Sequence, residues 1–263
     1  ELDLLKSKMY ANITHEFRTP LTLIRGNAGE ISEHQDGETR EKAKCIIQGS
    51  DKILFLVNQM LNLSKVEEGN VPLHYLQTDL VAFVKFVTGE FQGYAEMRKI
   101  HLHFESQVER LVMDVEKEML EGSLSNLLSN AIKYTPGGGE VIVSLRRLAL
   151  PETSDHQVEI SVRDTGIGIP ADKLDKIFIR FYRVEDLQLP CQEGTGIGLT
   201  LVSEYLKLMK GSVRVISSPG KGSEFVLTLP VTHNAEAEEI IYQSGNTFHK
   251  VEESKDDSRT IEC

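Results

Sequence analysis

Residues Met9 to Ile24 read MYANITHEFRTPLTLI, and the organisation of the chain follows from them. Apolar residues fall at Ile13, Phe17, Ile24, Ala28 and Ile31, close to the three-or-four spacing of one buried helix face. His15 stands two positions from both Ile13 and Phe17. At about 100° per residue that is roughly 200° around the helix, so the imidazole points to water while the other face packs. Glu16 follows directly and Thr19 lies one turn on. Pro20 removes a backbone donor and predicts a kink just past the histidine. Taken alone, the stretch also suits an ordinary surface histidine, and the rest of the chain has to separate the two.

A polar turn around Glu33 to Gly37 leads into a second helix, expected over Glu38 to Val66. Its apolar residues form two adjacent heptad stripes, Ile46, Ile53, Met60 and Ile47, Leu54, Leu61, widened by Leu56, Val57 and Leu63. Two antiparallel helices cannot cover a face that wide. Two such hairpins can, as a four-helix bundle, which predicts a homodimer through residues 1 to 66. A hairpin packed on its own second domain is the weaker alternative, because His15 must stay exposed.

The 263 residues allow one large domain or two small ones. A formal net charge of −11 argues against nucleic acid or an anionic membrane surface as the main partner. No run of about 18 apolar residues marks a membrane span, and nothing at the start reads as a secretory signal. Cys45, Cys191 and Cys263 have no metal spacing and fit unpaired thiols in a reducing compartment. Glu1 opens within a helical pattern and carries no cap, as expected for a piece of a longer, membrane-anchored protein whose cytoplasmic portion this is.

Gly69 ends the hairpin, and the periodicity then changes. Strands are expected at Val71–Tyr75, Ile100–Phe104, Leu111–Val115, Glu140–Leu148, Val158–Asp164, Val213–Ile216 and Phe225–Leu229. Helices are expected after a cap at Asp79, over Glu116–Tyr134 with Gly122 weakening it, and over Ile197–Met209. His101 and His103 share one strand face and read as solvent-facing, since no third ligand accompanies them. The fold class is α+β: a helical hairpin over 1–68, a two-layer α/β sandwich over 69–231, and an acidic linker or tail over 232–263, with a short helix around Ala235 to Tyr242.

Four segments of the sandwich carry chemistry. In NLLSNAIKYTP, Asn126 and Asn130 share a helix face and offer neutral oxygens to Mg²⁺ held mainly by phosphates, with Lys133 alongside. In DTGIGIP, Asp164 ends a strand and can accept from an exocyclic amine such as adenine N6, while Gly166 and Gly168 permit tight turns. In IFIRFYRV, Phe178, Phe181 and Tyr182 can pack while Arg183 reaches a phosphate. In GTGIGL, Gly194, Thr195, Gly196, Gly198 and Leu199 run into a helix whose N-terminal N–H groups suit phosphate. Each segment is weak evidence by itself, but in this order and behind an exposed His-Glu pair they reinforce one another. Val184 to Glu193, with Pro190, fits a lid over the nucleotide.

These segments closely resemble the catalytic core of sensor histidine kinases of two-component systems. HEFRTPL is similar to that family's H box, and NLLSNAIKYT, DTGIGIP, FIRFYRV and GTGIGLTLV to its N, G1, F and G2 boxes. The resemblance spans about residues 1 to 230 and leans toward the kinase core of hybrid sensors from Bacteroides-type bacteria. It implies a dimerisation and histidine-phosphotransfer bundle followed by a Bergerat-type ATP-binding domain, with ATP and Mg²⁺ as cofactors. It further implies that His15 accepts the phosphoryl group, Glu16 acts as its general base, and Thr19 orients water for dephosphorylating a response-regulator receiver domain. Asn130 with Asn126 would hold Mg²⁺, while Lys133, Tyr134 and Arg183 would contact phosphates or cover the nucleotide. Asp164 would read adenine, and the glycines would shape the pocket. The Gly122–Ser123 pair and the short lid depart from the pattern. A water-activating clamp ATPase is the second reading, but it needs a glutamate where Asn126 stands. A dimeric ATP-binding scaffold without transfer is the third.

Overall fold

The computed structural model describes Phe17 and residues 21–31, 37–67, 71–149, 156–184 and 196–237. Residues 21–31 form helix α1, the described part of a first helix expected over residues 1 to 31, and Gly37–Glu67 form α2, close to the expected Glu38 to Val66. Within one chain Leu21 and Ala28 are buried, whereas Phe17 before the start of α1, Ile24 and Ile31 of α1, and Ile46 and Ile53 of α2 are all exposed. The buried face expected to run through Phe17, Ile24 and Ile31 is therefore left uncovered by the chain's own residues.

The second part begins with β1 (Tyr75–Asp79), α3 (Leu80–Glu90), α4 (Gln92–Met97), β2 (His101–Ser106) and β3 (Val112–Glu116). It continues with α5 (Lys117–Tyr134), β4 (Glu140–Ala149), β5 (His156–Asp164) and a 3-10 turn at Ala171–Lys173. It closes with α6 (Gly198–Leu208), β6 (Ser212–Ser217), β7 (Ser223–Pro230) and β8 (Glu236–Ala237). Five strands form one sheet in the order β2-β4-β5-β7-β6, parallel only between β2 and β4. The architecture is the expected α+β sandwich.

Alternation along the strands decides the layers. Val141, Val143 and Leu145 of β4, Val158, Ile160 and Val162 of β5, and Phe225, Leu227 and Leu229 of β7 all face inward and are buried. Leu120, Leu124, Leu127, Leu128 and Ile132 of α5 meet them, at a spacing that lays one stripe along the helix. Each such side chain contributes about 2 kcal/mol on burial. Two side-chain caps start the helices: Asp79 accepts from Val81 N at the head of α3, and Glu116 accepts from Met119 N at 2.7 Å at the head of α5.

Three expectations shift. The first strand lies at Tyr75–Asp79 and not at Val71–Tyr75, because its register is set by antiparallel pairing with β3. A second, three-stranded sheet β3-β1-β8 places Glu236 and Ala237 in a strand parallel to β1, where a helical turn was expected. The cause is Asp114, whose carboxylate accepts from Thr232 Oγ1, Asn234 N and Ala235 N at 2.8, 2.6 and 3.0 Å. Finally, the end of α2 does pack on the chain's own second domain: Leu63 and Val66 are buried in the same core as α5 and α6. His101 and His103 are exposed as expected, their rings stacked 6.5 Å apart.

Candidate functional site

Helix α5 brings Asn126, Asn130, Lys133 and Tyr134 to one end of the sandwich. Asn126 is half-buried: its Nδ2 donates to Gly122 O at 2.8 Å, and its Oδ1 accepts from Gln59 Nε2 of α2 at 3.1 Å. Asn130, one turn on, is also half-buried. Lys133 Nζ donates to the Tyr134 hydroxyl at 3.2 Å and lies 4.7 Å from the centre of its ring, so the ammonium is steered along the helix end. The helix stops at Thr135, whose hydroxyl bonds back to Ala131 O at 2.6 Å.

Asp164 closes β5 and is buried. Its Oδ1 accepts from Gly166 N at 2.8 Å and Ser223 N at 3.2 Å, which leaves Oδ2 as the oxygen for an outside donor. Burial pushes its pKa above the ordinary carboxylate range, and the two N–H bonds oppose this without reversing it. The loop after it returns to α5 through Ile167 N–H donating to Tyr134 O at 3.3 Å. Gly168 takes a φ of +71°, and a Cβ there would lie 1.9 Å from Ser218 O, so only glycine fits.

That close approach identifies a support the sequence reading passed over. The β6–β7 hairpin SSPGKGS forms the floor under the Asp164 loop. Ser217 Oγ accepts from Ile169 N at 2.8 Å, Ile167 O accepts from Gly220 N at 2.7 Å, and a Cβ on Gly222 would lie 1.9 Å from Asp164 O. Its two positive-φ glycines were the available signal.

Phe178 packs on the core as expected, and its carbonyl accepts from Thr200 Oγ1 at 3.0 Å. Phe181 does not pack: it is 57% exposed. The reason lies in its backbone, which adopts φ +62° to donate to Gly196 O at 2.9 Å; the outward ring lies 4.9 Å from the Arg180 guanidinium. Tyr182 is half-buried and Arg183 exposed. Helix α6 starts at Gly198, and its N-cap Ile197 supplies no side-chain cap, so the first N–H groups keep their capacity for an anion. Leu199 is half-buried against the core. His15, Glu16, Thr19, Gly194, Thr195 and the expected lid after Val184 lie outside the described residues.

The arrangement suits a purine nucleotide: a buried carboxylate with one uncommitted oxygen at one end, an uncapped helix start at the other, and amide and ammonium groups on α5 between them. Among the described residues no group of three or more His, Cys, Asp or Glu could hold a metal. The donors here are neutral carboxamides, which suit a cation carried by phosphates. No described helix is long and apolar enough to cross a membrane.

The geometry has the form of a nucleotide-binding α/β sandwich joined to a helical hairpin. Residues 116–233 match the domain described as histidine kinase-, DNA gyrase B-, and HSP90-like ATPase, and residues 5–69 match the His Kinase A (phospho-acceptor) domain. The chain belongs to the sensor histidine kinases of two-component systems. It is 33% identical to sensor histidine kinase TmoS of Ectopseudomonas mendocina, over 95% of this chain and 25% of that protein. It is 32% identical to hybrid signal transduction histidine kinase D of Dictyostelium discoideum, over 89% of this chain and 15% of that protein. The chain thus spans a quarter or less of the length of these two relatives. Among solved structures, full-length ShkA in complex with AMPPNP superposes with a TM-score of 0.73 at 26% identity, covering 87% of this chain and 46% of ShkA.

Proposed function

We propose that this chain is the ATP-dependent protein-histidine kinase core of a two-component sensor. It autophosphorylates His15 and passes the phosphoryl group to an aspartate of a response-regulator receiver domain, which it also dephosphorylates with the help of Thr19. The observation that carries this reading is the joining of one fold's nucleotide groups, in the same chain, to the sequence HEFRTPL within the residues that match the phospho-acceptor domain. Those groups are Asp164 with its one uncommitted oxygen, the α5 amides and Lys133, and the uncapped start of α6.

The residues divide the work. Asp164 Oδ2 accepts from adenine N6, and Lys133, Tyr134 and Arg183 steer and cover the phosphates. Asn130 and Asn126 hold Mg²⁺, which neutralises phosphate charge when bound. Glu16 takes the proton from the imidazole of His15 as its nitrogen attacks the γ-phosphorus and ADP departs. Positioning and charge neutralisation do most of this chemistry, so no other nucleophile is needed.

Residues 1–68 serve as the dimerisation and phosphotransfer hairpin, 69–231 as the ATP-binding domain, and 232–263 as an acidic linker whose first residues are hitched to β1 and β3. The exposed stripe of Phe17, Ile24, Ile31, Ile46 and Ile53 supports pairing with a second copy. The chain is read as the cytoplasmic portion of a membrane-anchored sensor.

The test is incubation with γ-labelled ATP and Mg²⁺, then acid and base treatment of the labelled protein. Label lost in acid and retained in base is a phosphoramidate, and His15→Gln should remove it while leaving ATP binding intact. Labelling that persists in His15→Gln overturns the assignment.

A further inference from the structure

One residue of the proposed nucleotide site is bound by the hairpin. Gln59 of α2 is buried and donates through Nε2 to Asn126 Oδ1 at 3.1 Å, while Asn126 Nδ2 donates to Gly122 O at 2.8 Å. Two bonds therefore fix the carboxamide in one orientation, beside the start of α6, where a Cβ on Gly198 would lie 2.6 Å from Oδ1. An apolar dock surrounds this polar contact. Leu63 and Val66 are buried in the core of the ATP domain, and Gly122 leaves room for the Tyr205 ring, 3.3 Å from where its Cβ would be.

We infer that Gln59 is a positioning residue for the nucleotide site: through Asn126 it makes docking of the hairpin and filling of the metal–phosphate site compete. The inference rests on the reading of Asn126 and Asn130 as the Mg²⁺ holders. Both contenders approach one oxygen with positive charge. Gln59 brings polarised N–H hydrogens, and a hydrated divalent cation brings its charge and its water hydrogens. They repel each other there, and turning the carboxamide toward a metal breaks the bonds to Gln59 and Gly122 together. Docking then weakens Mg·nucleotide binding by the factor by which Mg·nucleotide weakens docking. For one net neutral hydrogen bond that factor is about fivefold.

The test uses the full chain with Gln59→Leu and Gln59→Met, which keep the volume and cannot donate, each checked by thermal melting. Two quantities are read: affinity for a non-hydrolysable ATP analogue in Mg²⁺ and in EDTA, and amide hydrogen exchange of residues 59–66 without nucleotide. The expected result is about fivefold tighter binding in Mg²⁺, unchanged binding in EDTA, and about fivefold faster exchange at 59–66. In the unaltered chain, Mg·analogue should speed the same amides. Unaltered Mg²⁺-dependent affinity in both variants overturns the competition while leaving the site reading intact. An unaltered chain that binds the analogue no better in Mg²⁺ than in EDTA removes the metal reading of Asn126, and the competition with it.

Discussion

Replacing Asp164 with asparagine separates what this residue does for the fold from what it does for the nucleotide. Oδ1 already accepts from Gly166 N and Ser223 N, and an asparagine oxygen can keep both bonds. The change falls on the other atom. Oδ2, an acceptor, becomes an amide donor facing the donor N6 of adenine. Leaving a buried donor against a donor costs about 1–3 kcal/mol, or roughly 10- to 100-fold in ATP affinity. Guanine presents the acceptor O6 at the corresponding position, so GTP should gain as ATP loses.

Stability should move the other way. Burial holds the Asp164 pKa above its unfolded value, so its contribution is present in full at low pH and is lost as pH rises through the folded pKa. Asparagine has no such loss, so the variant should melt higher relative to the unaltered protein as pH is raised from about 4 to neutrality. The assay is competitive titration of ATP and GTP at neutral pH, with thermal melts across that range. An Asp164→Asn protein that melts normally and keeps full ATP affinity would refute the adenine role. One that loses ATP affinity and melts lower at neutral pH would refute the hydrogen-bond argument.

Gly168→Ala must place its Cβ 1.9 Å from the Ser218 carbonyl at φ +71°, and the left-handed backbone alone costs about 1–2 kcal/mol; nucleotide titration should show at least about tenfold weaker binding. Burial alone would raise Glu159, but bonds from Arg214 at 3.1 Å and from Arg146 outweigh it and hold the carboxyl below its ordinary range. Stability from this pair is therefore lost as pH falls through that lowered pKa. Glu159→Gln should cost about 1–2 kcal/mol at pH 7, discounted for the half-exposed arginines, and should flatten the acid limb of the melting curve. Asn130→Asp adds a negative charge beside the phosphates and should slow labelling from γ-labelled ATP by about tenfold or more; an unchanged rate removes it as a metal contact. Thr19→Ala should spare autophosphorylation and slow dephosphorylation of the regulator, and equal loss of both rejects a separate role.

Features with local causes were legible in the sequence. Asp79 caps α3 and the leucine stripe fixes α5, because capping and periodicity act within a turn or two. Features decided by distant partners were not. β8 exists because Asp114 holds residues 118 to 121 positions away, and no short-range pattern records that. Helix α4 has six residues, too few to establish a period. Gln59 reads as a polar interruption between Val57 and Met60, and only the docked α5 gives it a partner at the site.

The glycines explain why four weak motifs become decisive together. A Cβ on Gly166 would lie 2.5 Å from Tyr134 O, one on Gly196 2.7 Å from the Phe181 carbonyl carbon, and one on Gly198 2.6 Å from Asn126 Oδ1. Each of these glycines is thus a seat for a residue from a different segment: Gly166 and Gly198 receive the asparagine helix, and Gly196 receives the aromatic segment. A phosphate-binding loop would need glycine for its ligand, whereas here glycine is needed first by the protein's own neighbouring segments. A side chain at any one seat therefore displaces another segment's contribution to the pocket before it touches a nucleotide. The segments carry information jointly because they are packed against one another, and a chain bearing only one of them would have no reason to keep its glycines where they are.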